Sequence, residues 1–120
     1  MASTSSPDME DMLHALGERV RLRILSLIGD TELCVCFFVE ALELPQPTIS
    51  RHLGFLRRRG VVTARRDGLW MHYRIVPPAD PHVTKVLRAT LEWCAQEPEM
   101  RRDRQRLSKA CCAPESLSGW

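Results

Sequence analysis

The chain has 120 residues, with 17 Lys+Arg against 15 Asp+Glu, four His and five Cys, and a formal net charge of +2. That length suits one domain with a real core, and a hydrophobic fraction of 44% is that of a folded globular protein rather than a disordered one. No apolar run reaches the ~18 residues of a membrane span. The polar, acidic Met1–Met12 is unlike a signal peptide, and an odd number of cysteines without one points to reduced thiols in the cytoplasm.

Residues 1–7 lack apolar periodicity and are expected to form a mobile tail. From Asp8, the spacing of Met9, Met12, Leu13 and Leu16 predicts a helix that Gly17 stops. A second helix is expected from Glu18 to Ile28, with Val20, Ile24, Leu27 and Ile28 on one face, ended by Gly29-Asp30. A short third helix falls within Cys34–Leu44, with an ambiguous start, before Pro45 and Pro47 interrupt the chain. The fourth helix, from about Pro47 to Arg59, has Ile49, Leu53 and Leu56 as its buried stripe, while Pro47, Arg51, Gly54 and Arg58 point the other way.

After Gly60, two β-prone runs, Val61–Arg65 and Leu69–Ile75, flank Asp67-Gly68 and predict a hairpin with Arg65 and Arg66 near its tip. Asp80 can cap a fifth helix, with Pro81 in its first turn and Val83, Val86, Leu87, Leu91 and Cys94 at helical spacing up to Pro98. A charged helix with little apolar face follows from Glu99 to about Lys109, then a tail with Cys111-Cys112. The expected organisation is a tail (1–7), a folded domain (8–97) and a charged helix with a Cys-containing tail (98–120).

Charge is distributed unevenly. Between Pro45 and Arg74 lie seven arginines (51, 57, 58, 59, 65, 66 and 74) and a single acid, Asp67, whereas acids outnumber bases in the remainder. A helix with an apolar back and a basic front suits the DNA major groove. Helix, helix, short helix, basic helix, hairpin, helix (α-α-α-α-β-β-α, mainly α with a β-hairpin) is the order of a winged helix-turn-helix domain. Arg57, Arg58, Arg65 and Arg66 are suited to phosphate contacts. Gln46, Thr48, Ser50, Arg51 and His52, clustered at the start of the basic helix, are suited to reading base edges. For His52, lining the helix surface is an equal alternative. Pro45 cannot cap this helix with a side chain, and Gln46 is a poor substitute.

Glu32-Leu33-Cys34-Val35-Cys36, then Gln46-Pro47-Thr48-Ile49-Ser50-Arg51-His52-Leu53, then Gly68-Leu69-Trp70-Met71-His72-Tyr73-Arg74-Ile75 closely resemble the arsenic-responsive repressors of the ArsR/SmtB family. The resemblance covers about residues 9 to 97. It implies a homodimer that binds double-stranded operator DNA and releases it when As(III) or Sb(III) binds cysteine thiolates, with the same helix positions carrying DNA recognition.

Thiolates select soft metals and metalloids. Cys34 and Cys36 would project ~200° apart in mid-helix and converge only at a helix start or unwound turn. Closing both on As(III) is expected to unwind or reorient the helix ahead of the recognition helix. The position of the family's third cysteine is Val39 here. Cys111 and Cys112 can complete or replace the site, or be bystanders; Cys94 sits on an apolar stripe and favours packing. Asp80-Pro81-His82 resembles half of a family zinc site. Trp93 and Gln96 stand where its second pair belongs, which makes zinc the weaker ligand. A zinc- or cadmium-type sensor of the same family is one alternative. A thiol reductase is another, although no Cys-x-x-Cys accompanies a strand-helix unit and no acid, base and nucleophile pocket is readable. A ligand-independent DNA binder is a third. Met9, Leu13, Val83, Leu87 and Leu91 exceed the apolar surface one small domain can cover, and predict a two-fold dimer.

Overall fold

The computed structural model describes residues 6–110. Its elements are α1 (Met9–Leu16), α2 (Arg19–Ile28), β1 (Leu33–Cys34), α3 (Val35–Leu42), α4 (Gln46–Arg58), β2 (Val62–Asp67), β3 (Trp70–Ile75), α5 (Pro81–Gln96) and α6 (Pro98–Ser108). This is the expected mainly helical, winged helix-turn-helix order, with one element added: a two-residue strand, β1. It pairs antiparallel with the hairpin's inner strand, Leu33 opposite Tyr73 and Cys34 opposite His72. The sheet order is therefore β1-β3-β2. Two residues are too few for an alternating pattern, so no sequence signal announces this strand.

Local chemistry sets the boundaries. Asp8 caps α1 in a reciprocal arrangement with Asp11, whose N–H donates to Asp8 Oδ1 at 2.8 Å. Glu18 lies just outside α2 and caps it, its Oε1 accepting from the N–H groups of Val20 (2.8 Å) and Arg21 (3.2 Å). Cys34 is the N-cap of α3, which fixes the start that the sequence left ambiguous. Helix α3 ends at Glu43, which takes the left-handed conformation (φ 56°) while its N–H closes on Val39 O.

Helix α4 begins at Gln46, one residue before the expected Pro47; Pro45 is its N-cap, with no side-chain bond. The backbone compensates, since the N–H groups of Thr48 and Ile49 both donate to Pro45 O, at 3.1 and 3.2 Å. The hairpin turn also shifts. Asp67 pairs with Trp70, leaving Gly68-Leu69 as the two-residue loop, and Gly68 supplies the positive φ of 65° that such a turn needs.

Ile49, Leu53 and Leu56 of α4 are wholly buried among residues of α1, α2 and α3, and Val61, Val62 and Val83 extend the same core. Pro7 is buried as well, and Ser6 Oγ accepts from the N–H of Ala79, so the packed body begins ahead of α1. At the other end, α6 belongs to that body. Met100, Asp103 and Leu107 make a narrow inward stripe on this otherwise charged helix. Arg23 of α2 grips Asp103 bidentately, Nε to Oδ2 at 2.9 Å and Nη2 to Oδ1 at 2.8 Å. Glu97 alone separates α5 from α6.

Candidate nucleic-acid interface and thiol site

The buried stripe of α4 decides what its opposite face presents. With Ile49, Leu53 and Leu56 turned inward, Gln46, Ser50, Arg51, Arg57 and Arg58 are exposed and Thr48 is half-buried. Among the described residues no carboxylate lies within ion-pair distance of Arg51, Arg57, Arg58 or Arg66, so these guanidinium groups are available to phosphate or base edges. Gly54 leaves room for the Arg58 side chain, whose Nη1 would lie 3.3 Å from a Cβ at that position.

Three basic or polar residues of the same stretch behave differently. His52 is only 8% exposed. Its Nδ1 lies 3.4 Å from Arg21 Nη1 and its Nε2 4.0 Å from Glu18 Oε1. Burial pushes its pKa down, as do the nearby Arg21 and Arg51, and Glu18 only partly opposes them. The structure therefore gives His52 the helix-lining role rather than a place on the presented face. Arg59 bonds Asp11 at 3.3 Å and stacks on Phe55, as does Arg21, with guanidinium carbons 4.8 and 4.1 Å from the ring centre. Arg65 is held by Glu32, Nη2 to Oε1 at 2.6 Å and Nε to Oε2 at 3.2 Å, which lowers the Glu32 pKa. Only Arg66 of the wing pair is unengaged, just ahead of a tip that exposes Leu69 and Trp70. The Glu32–Arg65 pairing joins residues 33 apart, and nothing local in the sequence marks it.

Cys34 and Cys36 both stand at a helix start. Cys34 ends β1 and caps α3, and Cys36 is the second residue of that helix, so both leave from the helix start rather than its middle. Cys34 is 4% exposed and Cys36 half-buried. Val39, which the resemblance puts at the position of the family's third cysteine, packs against the core. Among the described residues no group of three or more His, Cys, Asp or Glu is arranged to hold a metal ion. Cys111 and Cys112 lie outside the described residues; the chain reaches them from Ala110, which is buried in the same apolar core that includes Cys34. Cys94 is wholly buried and burial pushes its thiol pKa up, which fits packing rather than ligation. Asp80 caps α5 through the N–H of His82, at 2.8 Å, and this bond chiefly holds its carboxyl below the usual range. His82, Trp93 and Gln96 are exposed, and the last two offer no zinc-binding pair.

The expected surplus of apolar surface is redistributed. Val83 and Leu87 are buried within the chain, whereas Leu13 of α1 and Trp93 of α5 are 53% and 50% exposed. With Leu16, Leu22 and Val86 they line a shallow apolar groove along α1 and α5.

A helix-turn-helix with its basic face outward, followed by a β-hairpin wing, defines a DNA-binding transcriptional regulator. Residues 18–64 match the family described as "Bacterial regulatory protein, arsR family". The chain is 38% identical over 102 residues to the arsenic resistance transcriptional regulator ArsR1 of Pseudomonas putida, covering 84% of this chain and 78% of that protein. Among solved structures it is similar to HlyU from Vibrio cholerae (TM-score 0.63, 30% identity, 72% of this chain and 91% of that one). It is also similar to the AntR antimony-specific transcriptional repressor (TM-score 0.56, 32% identity, 72% and 78%). The chain belongs to the ArsR family of transcriptional repressors. Its relatives are regulators of transcription, not enzymes. No helix among the described residues is long and apolar enough to cross a membrane.

Proposed function

We propose that this protein is a metalloid-responsive repressor. It binds operator DNA as a homodimer through α4 and the wing, and releases it when As(III) or Sb(III) is taken up by Cys34 and Cys36, with Cys111 and Cys112 the remaining thiols that can complete the ligand set. The observation that carries this reading is the position of Cys34 and Cys36 at the cap and second residue of α3, one helix upstream of the basic face. The names of relatives from arsenic resistance systems and of an antimony-specific repressor support the choice of ligand. Each As–OH group of arsenous acid condenses with a cysteine S–H without any redox change, forming an As–S bond and releasing one water that carries the thiol proton. Gln46, Thr48, Ser50 and Arg51 read bases; Arg57, Arg58 and Arg66 contact phosphate, as does Arg65 through Nη1, the guanidinium nitrogen its two bonds to Glu32 do not use. His52 positions α4 from behind. The exposed groove around Leu13 and Trp93 is the dimer contact, which sets two α4 helices about one DNA turn apart.

The test is fluorescence anisotropy on DNA from the protein's own promoter, titrated with arsenite and with antimonyl tartrate. Affinity is expected to fall by about tenfold or more at saturation, and the fall to vanish in Cys34→Ser/Cys36→Ser. Unchanged affinity of the wild type under saturating ligand overturns the reading.

A further inference from the structure

The β1 strand is two residues long, and its second residue is Cys34. The register places Cys34 opposite His72 on β3, and His72 opposite Arg65 on β2, so one row crosses the whole sheet from thiol to wing. Residues directly opposite one another share a face of the sheet and lie about 5 Å apart at Cβ. A second tie runs beside this row. Glu32, the residue before β1, holds the Arg65 guanidinium with two hydrogen bonds, at 2.6 and 3.2 Å. The thiol segment is thus fastened to both strands of the hairpin, by backbone to β3 and by side chain to β2.

The far end of α3 is fastened differently. Arg23 Nη2 donates to Leu42 O at 3.0 Å and Arg106 Nε to Ala41 O at 2.6 Å, while Asp103 fixes both guanidinium groups. A displacement started at Cys34 therefore meets a clamped helix end on the way to α4, but only a two-residue ladder on the way to the wing.

We propose that the wing is an output of thiol loading, and that His72 and the Glu32–Arg65 pair are the positioning residues that carry the displacement of Cys34 into it. This deepens the reading of Cys34 as an inducer ligand and rests on it. Drawing Cys34 and Cys36 onto one ion changes the extended backbone of Cys34 (φ −79°, ψ 153°). That backbone is also what pairs with His72, so the ladder and the Glu32 anchor shift with it, and with them Arg65 and the neighbouring Arg66.

The experiment uses the full-length protein with Trp120→Phe, read against the same protein also carrying Trp70→Phe, so that the difference is the emission of Trp70 at the base of the wing turn. Arsenite added without DNA is expected to shift Trp70 emission, and Glu32→Gln to abolish that shift without altering arsenite stoichiometry. In the anisotropy assay, Glu32→Gln is expected to reduce the arsenite-induced change in DNA affinity by about threefold or more, with Glu32→Asp restoring much of it. Arsenite-driven DNA release in the wild type, with Trp70 emission unmoved and Glu32→Gln fully responsive, overturns this inference and leaves the repressor reading standing. A wild type that keeps its DNA under arsenite overturns both.

Discussion

The two ends of α3 teach different lessons. At its C-terminus, carbonyl oxygens that a helix leaves unsatisfied are taken by Arg23 and Arg106, which share the buried Asp103 and have Glu99 and Glu43 as further partners at 3.5 and 3.8 Å. At its N-terminus there is no side-chain cap, and the chain passes directly into a strand of two residues. One helix is therefore anchored by charge at one end and by a minimal ladder at the other. The proposed sensing role uses this asymmetry, because a ligand displaces the more lightly held end first.

The sharpest way to break the contrast is at the anchored end. Asp103→Asn removes the carboxylate that bonds both Arg23 and Arg106, leaving the nearly buried Arg23 with Glu99 alone, 3.5 Å away, and is expected to lower stability by about 2–3 kcal/mol in urea unfolding. A loss under about 1 kcal/mol would mean that α6 is not the clamp of α3. At the other end, Cys34→Ala removes one buried sulfur and no charge, so a smaller cost of about 1 kcal/mol is expected from the same measurement. Equal costs at the two ends would abolish the comparison.

The smallest effect concerns pH. Because burial depresses the His52 pKa, the unfolded chain binds more protons than the folded one just below the ordinary histidine value near 6.5. Stability is therefore expected to fall as pH drops through that value and to level off once the folded pKa is passed, at under about 1.4 kcal/mol per pH unit. His52→Gln should flatten this dependence between pH 7.5 and 5.5. An unchanged slope would show that His52 is not the group responsible.

Much of this was legible along the chain. The Ile49, Leu53 and Leu56 stripe predicts both the existence of α4 and the face it hides, because a period near 3.6 is a local property. The same geometry says that Cys34 and Cys36 can share a ligand from a helix start or an unwound turn, but the structure is what puts the start of α3 at Cys34. What local pattern missed has one cause: partners distant in sequence. His52 lies one residue from Arg51 and shares its polarity, yet its ring is turned toward Glu18 and Arg21. Arg65 and Arg66 are indistinguishable by type, and only the approach of Glu32 separates the engaged one from the free one. The charged 98–108 segment has a weak apolar stripe, and its docking depends on Arg23, 80 residues before Asp103.

Composition, periodicity and motif order by themselves determined a winged helix-turn-helix with a basic reading helix and a thiol pair ahead of it, since each of these is written in spacings of a few residues. The tertiary structure decided which arginines remain available, which end of α3 is held, and that the thiol segment is also a strand of the wing's sheet. Those outcomes depend on which charges and backbone edges meet across the core, and such meetings are fixed by packing rather than by the order of neighbours along the chain.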